Sequence, residues 1–391
     1  MIVINAEIHT MDNDNTVIAN GYVKMEKGKI TGIGDMEEFS ENLPDIINAE
    51  GKKIYPGYID VHTHLGMFED SLCFEGDDGN ESTDPVTPHL RAIDGTNVFD
   101  KCFMEALCSG VTTVLISPGS TNPVAGEIAA IKTYGKCIDN MIIKSPAAIK
   151  FSLGENPKSV YNDKDSTPIT RMAIAAVIRE ILYKAKKYLS EKEKFENDSE
   201  NFDEPEYDMK LESLLPLIKK EIPAHFHAHR ADDIFTAIRI CKEFDIRCVI
   251  VHGTDAHLIC DELNGKCEGI FSGPIMTDRS KPELHNLTAS SPGIISKSGI
   301  TTAIITDHPE TPINYLTLCA AIAVREGMDS LSAVRSITSE AAEIAGISDR
   351  VGTVEAGKDA DIVILETDPL DITKKPYAVI AGGKLVYGMV G

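Results

Sequence analysis

Ile54-Tyr55-Pro56-Gly57-Tyr58-Ile59-Asp60-Val61-His62-Thr63-His64 is a short apolar run that ends in two histidines one residue apart. Side chains along a strand alternate between its two faces, so His62 and His64 project from the same face and can bind one ion together. Neutral imidazole suits zinc and similar first-row metals. A strand that delivers two metal ligands at its C-terminal end is what a parallel barrel enzyme requires.

Outward from this stretch the pattern repeats. Strand-like runs occupy residues 111–119 (VTTVLISPG), 140–146 (NMIIKSP), 147–155 (AAIKFSLGE), 224–229 (AHFHAH), 247–253 (RCVIVHG), 269–274 (GIFSGP) and 301–309 (TTAIITDHP). Helical patterns lie between them, including NVFDKCFMEALCSG, ITRMAIAAVIREILYKAKKYL and ADDIFTAIRICKEFDI. Strands alternating with helices predict βα units on a parallel sheet. With the first run the count reaches eight, the number that closes a (β/α)8 TIM barrel. The chain ends differ. MIVINAEIHT and NGYVKMEKGKITGIGD at the start, and GKDADIVILETD and YAVIAGGKLVYG at the end, read as β hairpins. We therefore expect a small β-sandwich from residues 1–55 and 350–391, around a barrel of residues 56–349.

Composition excludes several classes. The formal net charge is −23, and no basic patch is visible, so a nucleic-acid partner is not expected. No apolar run reaches the roughly 18 residues of a membrane span, and the first residues lack the features of a secretory signal. Nine cysteines without CxxC pairs predict a reducing, cytoplasmic setting rather than a disulfide framework. The acidic segment 190–208 reads as a solvated excursion between helices. A small-molecule substrate is expected, and homo-oligomerisation stays open.

Histidine or aspartate ends four of the strand runs: His62 and His64; His225, His227 and His229; His252; and Asp307 with His308. The chain resembles the amidohydrolase superfamily, in particular the imidazolonepropionase-related amidohydrolases, through PGYIDVHTHLG, SGVTTV, HAHRADDI, IVHGTDAH, TDHP and the C-terminal VGTVEAGKDADIVIL. The resemblance spans essentially the whole length. It implies that His62 and His64 bind a buried metal and that His227 and His252 bind a more exposed one. Asp307 would contact metal and take a proton from the attacking water, with one or two Zn2+ ions as cofactor. His229 would face substrate in a catalytic role, while the deeper His225 would be structural. Relatives bridge their metals with a carboxylated lysine or a glutamate. Glu155 is favoured here because it is placed at the strand's end. Lys150 lies five residues earlier, roughly 16 Å at ~3.3 Å per residue.

Specificity should come from loops after the strands: residues 68–87, residues 117–120 and residues 272–274 with Arg279. Arg230 and Lys281 are candidates to hold a substrate carboxylate. The expected reaction is metal-dependent hydrolysis of a non-peptide or cyclic amide C–N bond, with a dipeptidase or deaminase on the same scaffold as the alternative. A metal-free scaffold protein is the reading from another class, and it should lack ligands that are present here.

Overall fold

The computed structural model describes residues 1–40, 45–69 and 73–388. Five strands open the chain: β1 (Ile2–His9), β2 (Val17–Glu26), β3 (Lys29–Asp35), β4 (Ile46–Asn48) and β5 (Lys53–Pro56). Eight form the barrel sheet in sequence order: β6 (Tyr58–Thr63), β7 (Val111–Ile116), β8 (Val124–Lys132), β9 (Ile142–Ser152), β10 (Ala224–Ala228), β11 (Cys248–His252), β12 (Gly269–Ser272) and β13 (Thr302–Ile304). The chain then returns through β14 (Ile362–Leu365), β15 (Ala378–Ala381) and β16 (Lys384–Gly388) to the first sheet. There β5 and β14 pair antiparallel, with Ile54 opposite Ile364, so both chain ends share one β layer. This is the barrel with a terminal β unit that the sequence pattern implies.

Both faces of the barrel strands are buried, which is why they read as continuous apolar runs rather than alternating ones. Val249 and Val251 of β11 pack with Ile59, Val61 and Phe271. Ile250, between them, packs outward against a layer that includes Ile174 and Ile178 of the helix Arg171–Asn197 and Ile234 of the helix Ala231–Phe244. The long helix starts where the Thr170 side chain accepts the Ala173 N–H, one of the orphan donors of a first turn. It carries the first part of the acidic segment 190–208 in helical form as far as Asn197.

The strand inventory departs from expectation in one place. Residues 140–146 and 147–155 are not two strands but one, β9. The eighth barrel strand is β8, which pairs antiparallel with both β7 and β9. Its sequence, VAGEIAAIK, has few β-branched residues, and no α-helix separates it from its neighbours. The signal of a βα unit is therefore absent there, although seven of the nine residues of β8 are buried.

No ladder joins β6 to β13 among the described residues. The seam is closed by a side chain. Asp60 of β6 accepts from the Thr306 backbone N–H at 3.1 Å and the Thr306 hydroxyl at 2.6 Å through Oδ2. Its Oδ1 accepts the His62 N–H at 3.2 Å. The His64 N–H donates to the His308 carbonyl at 2.9 Å just above.

A second polar cluster joins the β layer to the barrel. Lys132, the last residue of β8, pairs with Asp359 at 2.8 Å and with Asp361. Asp359 also takes Arg350 at 2.8 Å and Lys29 at 2.6 Å. Both aspartates belong to the GKDADIV stretch and are buried. Breaking one partner of a buried pair leaves an uncompensated charge, at a cost of about 3–5 kcal/mol. Lys132→Met should therefore lower the unfolding free energy measured by urea titration by about 3–5 kcal/mol, while a substitution at exposed Lys184 leaves it in place.

Candidate metal centre and its cavity

The strand ends bring two groups of donors together. His62, His64 and Asp307 each offer one ligand atom, all within 4.8 Å of one another, and so do His227, His229 and His252. Asp307 Oδ1 lies 3.3 Å from Nε2 of His62 and 3.3 Å from Nε2 of His64. The groups adjoin, with the His62 and His252 ring centroids 5.4 Å apart. Two of the ligand positions are held in the left-handed region, His252 at φ 72° and Asp307 at φ 54°. That conformation costs an L-residue roughly 1–2 kcal/mol, and such strain collects where side-chain direction matters more than backbone comfort.

Hydrogen bonds aim the rings. His64 Nδ1 lies 2.7 Å from the Ser117 carbonyl, and His252 Nδ1 lies 2.8 Å from the Gly273 carbonyl. A carbonyl can only accept, so each Nδ1 carries the proton and each Nε2 keeps its lone pair for an ion. His227 Nδ1 meets the Ser120 hydroxyl at 3.0 Å, and His229 Nδ1 meets the Thr254 hydroxyl at 2.8 Å. Burial holds His62, His227 and His229 well below the ordinary imidazole value and His252 at about 4, so all four rings are neutral. Burial alone would raise the Asp307 carboxyl, but His252, His62 and His64 outweigh it and hold the group well below the usual carboxylate range.

These residues fit a divalent metal. His227 Nε2 and Asp307 Oδ1 are buried and have no hydrogen-bond partner, whereas buried polar atoms are normally satisfied. Neutral imidazoles and a carboxylate converging on such gaps are the donor set of a metal site.

The register of the strands places Lys150 and Glu155 differently from the expectation. β9 ends at Ser152, which lies opposite His227, and Lys150 lies opposite His225. Lys150 is thus one inward-facing position below the ligand level, not five residues short of it. Its Nζ reaches to 3.4 Å from His62 Nε2, and burial lowers its pKa to about 8. Glu155 has left the strand and begins the helix Glu155–Asn162. His225, as expected, stays apart from the ligands; it is buried edge-on against Phe271 at 5.1 Å.

A cavity of about 630 Å³ opens over the centre, lined by His64, His227, His229 and Asp307 with Phe68, Ser120 and Lys281 among others. Asn156 Oδ1 accepts a hydrogen bond from Lys281 Nζ at 2.7 Å. Arg230 does not line it. It makes two 2.9 Å hydrogen bonds to its neighbour Asp232 and faces a separate polar recess, so its expected substrate role is not supported. Of the loop 68–87, Phe68 and Asn80 line the cavity, and residues 70–72 lie outside the described residues. Ser120 lies in the loop 117–120 that the sequence marks for specificity, but neither its contact with His227 nor that of Thr254 with His229 is legible there, because nothing local marks a residue whose partner is remote in the chain. Among the described residues no helix is long and apolar enough to cross a membrane.

Comparison with known proteins agrees with this geometry. The solved structure of an amidohydrolase from Thermotoga maritima MSB8 is 39% identical, covers 99% of this chain and 100% of its own, and superposes with a TM-score of 0.94. Amidohydrolase tasK of Hapsidospora irregularis is 28% identical over 93% of this chain, which spans only 39% of that protein's length. A 5'-deoxyadenosine deaminase of Methanosarcina barkeri is 43% identical over 67 residues, 17% of this chain and 15% of the deaminase. The model of the Amidohydrolase family matches residues 54–391, and the chain belongs to that family.

Proposed function

We propose that this chain is a zinc-dependent hydrolase that opens a non-peptide or cyclic amide C–N bond in a small molecule. The observation that carries the reading is the pair of adjoining donor groups at the floor of one cavity, with Asp307 on its wall. His62, His64 and Asp307 would hold one ion, and His227, His229 and His252 the other. His229 thus joins the second donor group, a revision of the expectation that it stands apart facing substrate. A divalent ion there supplies Lewis acidity and lowers the pKa of a water toward neutrality.

The protein's own groups do the rest. Asp307, whose carboxyl is held well below the usual carboxylate range, accepts the proton of the attacking water and returns it to the leaving nitrogen. The carbonyls of Ser117 and Gly273 keep the two rings they bind in one tautomer throughout. Lys150, amine-bearing and buried against His62, is the bridging position: as a carbamate it would place a carboxylate between the donor groups, the arrangement that the family resemblance implies. Lys281, steadied by Asn156, offers a cation to a substrate carboxylate. A deaminase is the second reading, favoured by the local match to the Methanosarcina barkeri enzyme.

Three outcomes are expected. Protein purified without chelator should carry between one and two equivalents of zinc by elemental analysis, and full activity in strong chelator with no metal present would end this reading. Asp307→Asn should cut kcat by about 10²–10⁴-fold while the protein stays folded and keeps most of its metal. Lys150→Ala should lose metal that added bicarbonate cannot restore, and Glu155→Gln should keep it. A panel of lactams, hydantoins, N-acyl amino acids, dipeptides and aminopurines, read by ring-opening, amine release and ammonia release, separates the substrate classes. On whichever carboxylate-bearing member is turned over, Lys281→Met should raise KM about tenfold and leave kcat within a few-fold.

A further inference from the structure

Two hydroxyls stand against the histidines of the second donor group. Ser120, in the loop between β7 and β8, has its hydroxyl 3.0 Å from His227 Nδ1. Thr254, just after β11, has its hydroxyl 2.8 Å from His229 Nδ1. Strand β10, which leads to both histidines, lies between β8 and β11 in the sheet, so the two hydroxyls approach from its opposite sides. The two rings are 4.7 Å apart between centroids. Ser120 and Thr254 both line the cavity over the centre.

Counting protons decides what these hydroxyls can do. Each Nδ1 is engaged by a hydroxyl, so Nε2 is the nitrogen left for an ion. A neutral imidazole that binds metal through Nε2 carries its proton on Nδ1. Both Nδ1–H groups therefore donate, and the oxygens of Ser120 and Thr254 accept. A hydroxyl that accepts still has one proton of its own to donate. Among the described residues each hydroxyl makes a single hydrogen bond, the one to its histidine, so neither proton has an acceptor. Thr254 is only 5% exposed, and a buried donor is normally satisfied. Orienting the rings explains the two oxygens and leaves the two protons without a partner at the cavity wall.

Charge distinguishes the two positions. Lys281 is the one lysine or arginine among the described residues that line this cavity. Burial, then His252 and then the Lys281 ammonium hold His229 well below the ordinary imidazole value, so the ammonium stands on the side of His229 and Thr254. Its bond to Asn156 uses one of three N–H groups. We propose that Thr254 and Ser120 bind substrate through these protons: Thr254, with Lys281, donates to a carboxylate, and Ser120 donates to an uncharged acceptor oxygen a short spacer away. The substrate class is then an anionic amide that carries a carboxylate on one side and a carbonyl, ether or hydroxyl oxygen on the other. The assignment rests on the metal reading above, which sets the two tautomers. Both hydroxyls lie on the Nδ1 side of rings whose Nε2 faces the ion, so they grip the substrate beside the reacting bond and act on binding.

The test is calorimetric binding of three probes without a C–N bond, at saturating zinc and with metal content measured on every sample. The probes are 5-oxohexanoate, which has both acceptors, hexanoate, which has only the carboxylate, and 2-hexanone, which has only the carbonyl. Wild type should bind 5-oxohexanoate most tightly. Thr254→Val should weaken 5-oxohexanoate and hexanoate about 10–100-fold, the worth of a hydrogen bond to a charged group, and leave 2-hexanone unchanged. Thr254→Ser, which keeps the hydroxyl, should restore both. Ser120→Asp keeps an acceptor for the His227 N–H and removes the donor, so its metal affinity should not fall. It should weaken 5-oxohexanoate and 2-hexanone by about 3–10-fold and spare hexanoate. Variants that weaken all three probes alike show hydroxyls that only hold the rings, and this overturns the assignment alone. So does a zinc-loaded wild type that binds 5-oxohexanoate no better than the other two. A wild type that takes up no metal overturns the metal reading and the tautomers with it.

Discussion

The barrel of this protein is joined at its seam by the carboxylate of Asp60, and the geometry of the site depends on that join. Strands β6 and β13 carry the first donor group between them, His62 and His64 on one side and Asp307 on the other, yet no ladder pairs them. Asp60 replaces the ladder with two hydrogen bonds across the seam, both to Thr306, and a third within its own strand to the His62 N–H. Each bonded residue belongs to the first donor group or adjoins a member of it. Burial pushes the Asp60 carboxyl up to about 7, so the site bears an energetic cost to keep a carboxyl there. What it gains is a fixed spacing between the histidine pair and Asp307, which no apolar residue could set.

The second constraint comes from main-chain carbonyls. Ser117 and Gly273 orient His64 and His252 through oxygens that every residue possesses, so the residue types give no hint of the role. At Gly273 the reason for glycine is steric. With φ at 145°, a Cβ there would fall 2.4 Å from the Ile305 carbonyl oxygen, and the segment would have to move away from β13. The Gly273 carbonyl would then lose its hold on His252. Ligand direction is therefore set by how closely two loops approach, a property of the fold rather than of any motif.

This explains which parts were legible in the sequence. Strand periodicity of two and barrel chemistry at strand ends mark His62, His64, His227, His252 and Asp307 along with His225, His229 and His308, and the family resemblance assigns roles among them. The heights of Lys150 and Glu155 are not legible from β9 by itself, because height in a barrel is a relation between strands. Only the pairing of Ser152 with His227 shows that the ligand level lies three residues before Glu155, and the sequence of β9 alone does not contain it. β8 was missed because an antiparallel hairpin of alanine-rich sequence gives neither the β-branched run nor the following helix that marked the other strands. Asp60 was visible only as part of a motif. Its partner Thr306 lies 246 residues away.

The two donor groups are chemically unequal, and the inequality has an origin in the fold. The first group receives its carboxylate from a strand end, because Asp307 follows β13 directly and the Asp60–Thr306 bonds fix the strand that carries it. The second group contains only imidazoles, so an anionic ligand there has to come from a neighbouring element. Strand β9 lies beside β10, and its Lys150, opposite His225 and 3.4 Å from His62 Nε2, is the position from which a carbamate would supply it. The group that has its own carboxylate attracts a cation more strongly, so occupancy of the second position would depend on the state of that one lysine.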